Sequence, residues 1–352
     1  MSTLLGGGPR LSAAGLATLA DVPGVRNVYL EVWLSMHEDL EKKWREFFQE
    51  RCAYLGEDII EKSVAMLGQI LHRYLKSGLA DTNFSKGLAS GNLYTYRQRL
   101  AEMLLYDRLV RDGFQLRSKD EGPDFIASKG GKTVCIELTT PEPGSQVAAS
   151  NVEIQSRLYP DPEDALAYMN DCLLRVTGSL REKKSQIQRW NNKGVLASGD
   201  VVVIVVNEAN LWPEDLCLVG HGDPLKGQSG EPLVLEAAYG RFIRFWRLSE
   251  SGSVVSEQWK HHLSTFSRKP APIPLGAFIG TDWSEVSGFM SMNLREEYVA
   301  NIAIYSGVID GSVTVHNDNA DNPLASGLVR TANCFRGKDI IKSPIGVAPD
   351  LG

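Results

Sequence analysis

Two carboxylates, Asp124 and Glu137, lie on either side of a short turn in the stretch 122–140. At that turn, Gly130-Gly131 accepts the positive φ angles a two-residue hairpin requires. With Lys129 and Lys132 flanking it, pairing runs outward and sets Asp124 opposite Glu137. Directly opposed residues place their Cβ atoms about 5 Å apart. Two carboxylates that close repel unless something positive lies between them. Hard oxygen ligands at this spacing suit Mg²⁺ or Mn²⁺, which use few carboxylates and keep several waters. The plain alternative is a surface hairpin with a solvated charge pair.

The period of two puts Thr139 on the face of Glu137 and sends Phe125, Val134, Ile136 and Leu138 to the other face. Before the hairpin, Tyr94–Asp112 reads as an amphipathic helix with Leu100, Met103, Leu104, Leu109 and Val110 in its stripe and Glu102 beside it. Phe114–Arg117 reads as a strand. After the hairpin, Pro141–Pro162 holds four prolines and is read either as a flap over the acid face or as a surface loop. Glu163–Asn191 is the next helix, lined by Leu173, Val176, Leu180, Ile187 and Trp190. Over the segment Arg175–Lys193, the cations Arg175, Arg181, Lys183, Lys184, Arg189 and Lys193 oppose Glu182 alone. At 100° per residue, Lys183 and Lys184 fall nearer the core side than Arg181. A lysine on an inward shoulder needs a carboxylate or a phosphate to meet. Asp200–Asn207 is a β-branched run, read as a strand buried on both faces.

The order helix, strand, hairpin with Pro123-Asp124 and Glu137-Leu138-Thr139, basic helix, buried strand resembles the PD-(D/E)xK nuclease superfamily, over roughly residues 94–210. The resemblance implies an α/β restriction-endonuclease-like fold, an αβββαβ core with a mixed central sheet. It implies that Asp124, Glu137 and the carbonyl of Leu138 hold Mg²⁺ or Mn²⁺, that Glu102 supports the site, and that nucleic acid, DNA first, is cleaved at a phosphodiester. The family's third catalytic position is lysine, and here it is Thr139, which carries no charge. Some members move that lysine to the following helix. Lys183 is the candidate for the role, with Lys184 second. Arg175, Arg181, Arg189 and Lys193 are then the residues for flanking phosphates. A second reading keeps the fold and makes the protein an inactive binding or scaffold subunit.

The chain of 352 residues has 43% hydrophobic and 23% charged residues, ordinary for a globular protein. A net charge of −6 excludes bulk nucleic-acid adhesion and leaves only local basic patches. The longest apolar run, Val201–Val206, is far too short to span a membrane. Met1–Ala20 lacks the basic start and apolar block of a secretory signal. Five scattered cysteines without CxxC predict a reducing compartment and no disulfide framework. The expectation is therefore a cytoplasmic protein.

Residues 28–77 read as helices, with stripes at Leu40, Trp44, Phe47 and Phe48 and at Ile60, Val64, Leu67, Leu71 and Leu75. These stripes either close a small core of their own or pair two copies into a homodimer. Gly-bearing Ser77–Asn92 reads as a linker, which divides the chain into an N-terminal helical region, 1–90, and a nuclease-like domain, 91–352. Leu233–Leu248, Ile273–Gly280, Glu285–Met292 and Tyr298–Tyr305 read as strands, the C-terminal strand-rich additions. His221, His261 and His262 are read in polar loops.

Overall fold

The structure is a computed structural model and describes residues 25–118, 121–144, 162–214, 216–220, 222–249, 254–266, 272–305 and 311–337. Its helices are α1 (Val25–Arg51), α2 (Glu57–Lys76), α3 (Phe84–Leu88), α4 (Leu93–Arg111), α5 (Pro162–Asn192), α6 (Leu233–Tyr239) and α7 (Glu297–Ile304). Seven strands form one mixed sheet: β1 (Gln115–Arg117), β2 (Phe125–Lys129), β3 (Lys132–Thr139), β4 (Val201–Asn207), β9 (Gly288–Met292), β10 (Val313–His316) and β11 (Asn333–Arg336), in that spatial order. Between β4 and β9 in the chain come two small ribbons, β5 (Arg241–Leu248) with β6 (Val254–His262), and β7 (Ser264–Phe266) with β8 (Pro272–Pro274). In the main sheet β1, β2 and β3 run antiparallel, and β3, β4 and β9 run parallel.

The sheet has helices on both faces, because its central strands are apolar on both. In β4, Val203 and Val205 face a core filled by α1, α2, α4 and α7. Val202, Ile204 and Val206 face a second core filled by α5 and α6. Such a β-branched run buried on both sides belongs in the parallel middle of an α/β sheet. β3 splits the same way. Val134, Ile136 and Leu138 join the first core, and Cys135 joins the second. Glu137 therefore points toward α5.

The helices follow from their spacing and their ends. Ile60, Val64, Leu67, Leu71 and Tyr74 bury one face of α2. Glu57 and Asp58 sit in its first turn and Arg73 and Lys76 in its last, which suits the helix dipole. The Asn92 side chain caps α4 by accepting from the Thr95 N–H at 3.0 Å.

Several expectations change. The apolar stripes of α1 and α2 do not close their own core, nor do they remain as a surface for a second copy. Leu40, Trp44, Phe48, Ile60, Val64, Leu67 and Leu71 share one core with Phe125 and Ile136 of the sheet. Ser77–Asn92 contains the short helix α3. Residues 233–239 and 297–304, read as strands, are helices. Short, mostly apolar runs carry no period that separates the two. His261 and His262 belong to β6, whereas His221 and most of Pro141–Pro162 lie outside the described residues. Cys52 and Cys217 are joined as a disulfide, 165 positions apart with Cα atoms 5.9 Å apart. No sequence pattern links residues at that separation.

Candidate functional site

The hairpin register sets the site. Lys129 pairs with Lys132 and Phe125 with Ile136, so the next pair outward is Asp124 and Glu137. Gly130 and Gly131 have φ of 57° and 75°, which the two-residue turn needs at both positions. Each carboxylate accepts from a backbone N–H on the opposite strand. The Asp124 N–H donates to Glu137 Oε2 at 3.2 Å, and the Leu138 N–H donates to Asp124 Oδ2 at 2.7 Å. From α5, Lys183 Nζ donates to Glu137 Oε1 at 2.6 Å. The Glu137 side chain is 2% exposed and that of Lys183 20%. Asp124 stands at the surface end of the strand, and its Oδ1 has no protein partner among the described residues.

The electrostatics follow from that packing. Surrounding protein raises the Asp124 carboxyl to about 7, and the Glu137 charge adds to the rise; Lys183 and the Leu138 N–H pull the other way. Asp124 keeps solvent access while its neighbours crowd it, so the direction follows from close protein and a close like charge. Burial also pushes Glu137 up, against the pull of Lys183. Burial disfavours the Lys183 ammonium, but Glu137 and Asp124 outweigh it and hold its pKa above the usual lysine value. Both pKa values are raised, which disfavours the charged form of Glu137 and favours that of Lys183. At a 2.6 Å contact the pair stands as ammonium and carboxylate.

Glu102 reaches the site from α4 but is already engaged. It accepts from the Tyr74 hydroxyl, and from Arg99 Nη1 at 2.8 Å. Its carboxyl is raised by burial, with a further push from the Asp124 charge. Tyr74 and Arg99 also feel Asp124. Sequence reasoning missed both. Tyr74 lies on the apolar stripe of α2, where a tyrosine reads as core. Arg99 lies three residues before Glu102, a helical pairing distance that was the available signal.

A cleft of about 470 Å³ begins at Lys183 and Leu138 and runs along α5 past Glu182, Ser179, Gly178 and Arg175. Thr139, Thr140 and Glu142 form the opposite wall, and Gln98 enters from α4. Asp124 and Glu137 do not line it; Lys183 is shared between acid pair and cleft. Arg175 has no carboxylate partner among the described residues. Its guanidinium lies against Gly144, where any side chain would collide with it.

The remaining candidates are separated from the acids. Lys184 turns to the other side of α5, with Nζ 2.6 Å from Asp282 Oδ2 and over the Trp283 ring. Neighbouring helical positions diverge by 100°, so one lysine reaches Glu137 and the next does not. Arg181 lines a smaller cavity of about 210 Å³ beside Asp282 and Trp283. Arg189 is exposed and bonds the Ser185 carbonyl at 3.4 Å. Lys193 pairs with Glu121 at the surface. Of the four phosphate candidates, Arg175 alone lies on the cleft.

Among the described residues, no third carboxylate, cysteine or histidine joins Asp124 and Glu137 as a ligand set. The one such grouping is Cys52, Cys217 and Glu297, elsewhere in the fold. No protein-family model, curated protein or solved structure matches the chain, so its function has to be argued from the site.

Proposed function

We propose that the chain is a metal-dependent phosphodiester hydrolase with a restriction-endonuclease-like core, acting on nucleic acid, DNA first, in the cytoplasm. The observation that carries this is Lys183 Nζ at 2.6 Å from Glu137, with Asp124 directly across the hairpin. An acid pair with an ammonium delivered from the next helix replaces the positive charge that Thr139 lacks. The element order α4, β1, β2, β3, α5, β4 also supports the reading. No helix among the described residues is long and apolar enough to cross a membrane.

The donor set fits a hard divalent cation. Asp124 and Glu137 offer carboxylate oxygens, and two protein carboxylates suffice for Mg²⁺ or Mn²⁺, which complete their shells with water and phosphate. Bound there, such an ion polarises a phosphoryl oxygen and lowers the pKa of water. The chain's residues do the rest. Glu137 orients the Lys183 ammonium by accepting from it. Lys183 has further donors for a water or a phosphate oxygen. Thr139 lines the cleft wall and supplies a hydroxyl. Glu102, fixed by Tyr74 and Arg99, places negative charge near Asp124 and favours cation over anion at that end. Arg175 meets flanking phosphate in the cleft, which positions a strand without reading its sequence.

The test is incubation of purified protein with plasmid and with single-stranded DNA in Mg²⁺, Mn²⁺ or EDTA, beside Glu137→Gln and Asp124→Asn. The expected result is cleavage that EDTA and either substitution abolish. Nucleic-acid binding that both substitutions leave untouched, with no cleavage in any metal, identifies an inactive binding module instead.

A further inference from the structure

The fold brings two of five scattered cysteines together and leaves three apart. Cys135 and Cys172 are buried and Cys334 lies at the surface. Cys52 closes the end of α1, its N–H bonded to the Phe48 carbonyl at 2.9 Å. Cys217 lies in the segment 216–220, between β4 and α6. This segment is seated on α7. The Leu218 N–H donates to Glu297 Oε1 at 3.2 Å, the Gly220 N–H to Asn301 Oδ1 at 2.7 Å, and Asn301 Nδ2 to the Leu218 carbonyl at 3.2 Å. Toward α1, the disulfide is joined by the Tyr54 hydroxyl, 3.4 Å from Cys217 Sγ. The bridge encloses 165 positions of chain, with Asp124, Glu137 and Lys183 all inside the loop.

A Glu297 oxygen lies within 4.8 Å of both sulfurs, and two thiolates with a carboxylate are a known kind of zinc ligand set. Arg295 argues against a cation here. Its Nε and Nη2 donate to the two Glu297 oxygens at 2.8 and 2.5 Å, and the Leu218 N–H adds a third bond. The carboxylate is spent, and a cation would arrive beside a buried guanidinium.

Scattered cysteines fit a reducing compartment, where the disulfides that do form are mostly transient, catalytic or redox-sensing. We propose that Cys52 and Cys217 form a redox-set staple, open when reduced and closed by exchange with glutathione disulfide. Cys217 is half-buried and Cys52 fully buried, so Cys217 is the sulfur a small disulfide reaches. The Cys217 thiolate attacks glutathione disulfide, which forms a mixed disulfide and releases one glutathione thiolate. The Cys52 thiolate then attacks the Cys217 sulfur and expels the second. The two cysteine protons end on two glutathiones, which carry the two electrons. Closure ties the end of α1 to the segment on α7. The same helices are already linked through α4, where Trp44 Nε1 donates to the Tyr96 hydroxyl at 2.9 Å and Tyr96 donates to Glu296 Oε1 at 2.7 Å. The staple thus sets how firmly the N-terminal helices are held to the C-terminal half.

The test equilibrates the full chain in glutathione buffers of graded potential, alkylates the thiols, maps peptides by mass and records thermal melts. A 52–217 cross-link should appear in oxidising buffers and vanish in reducing ones, with Tm about 4 °C lower when reduced. Cys52→Ser should trap glutathione on Cys217. Cys217→Ser should leave Cys52 unmodified and melt like reduced wild type in either buffer. The proposal is overturned if both thiols alkylate in every buffer. It is also overturned if reduced protein takes up stoichiometric Zn²⁺ that Cys217→Ser loses, which assigns the cluster to a cation.

Discussion

Replacing Lys183 by Met tests whether its ammonium holds the acid pair together. The variant keeps most of the side-chain volume on α5 and removes the charge. It leaves Glu137, 2% exposed, accepting only from the Asp124 N–H. Breaking a buried pair by removing one partner costs about 3–5 kcal/mol. Lys183 is itself 20% exposed, so water can reach the vacated end, and we expect about 3 kcal/mol at pH 8.5. The cost should shrink on acidification. Without Lys183 the burial of Glu137 is unopposed by a cation, so its folded pKa rises further above the unfolded value. A carboxyl with a raised folded pKa binds its proton more tightly when folded, so that stability contribution is present at low pH and lost as pH rises. At pH 5 a protonated Glu137 is tolerated and the loss should fall to about 1 kcal/mol. Urea titrations followed by tryptophan fluorescence at both pH values, on Lys183→Met, Glu137→Gln and the double variant, give the coupling. The double variant should be less destabilised than Lys183→Met at pH 8.5. Additive losses with coupling under about 0.5 kcal/mol, or a Lys183→Met cost independent of pH, would refute the buried pair.

Further outcomes follow from the same geometry. Asp124, with its carboxyl raised to about 7, must release a proton to hold a cation, so Mn²⁺ affinity by calorimetry should weaken about tenfold per pH unit below 7. The same raised pKa means that Asp124 favours the fold at low pH and loses that contribution as pH rises through about 7, so Asp124→Asn should flatten the stability profile there. Lys184→Ala breaks a pair whose Asp282 side chain is 83% exposed. It should cost under about 1 kcal/mol and leave any cleavage unchanged, in contrast to Lys183→Met. Gly131→Ala forces a Cβ into φ of 75° and should cost about 1–2 kcal/mol in urea titrations, with site geometry retained in a crystal structure.

The hairpin and its neighbours were legible because their signals are local. Gly130-Gly131 fixes the turn, the turn fixes the register, and the register opposes Asp124 to Glu137. The β-branched run at 201–207 and the stripes of α2, α4 and α5 announce themselves by period. The environment of the acid pair was not legible. Sequence shows that Lys183 faces inward, but which carboxylate it meets depends on how α5 lies across β3. Lys184 was indistinguishable from it until Asp282, almost a hundred residues on, was in place. Residues 233–239 and 297–304 are short and mostly apolar, and such runs carry no clear face to read. The N-terminal stripes predict burial without naming the surface that buries them. Tertiary packing chose the sheet.

The partition of β3 between two interiors gives the hairpin the character of a reading frame. Adding one residue to its loop would carry the Glu137 side chain into the hydrocarbon packed under α2 and α4, and turn Ile136 out toward Lys183. Adding two would restore the alternation and only lengthen the arm. Length variants of this hairpin should therefore survive by twos, so that the loop can drift in size while the acid stays in phase with the helix that serves it.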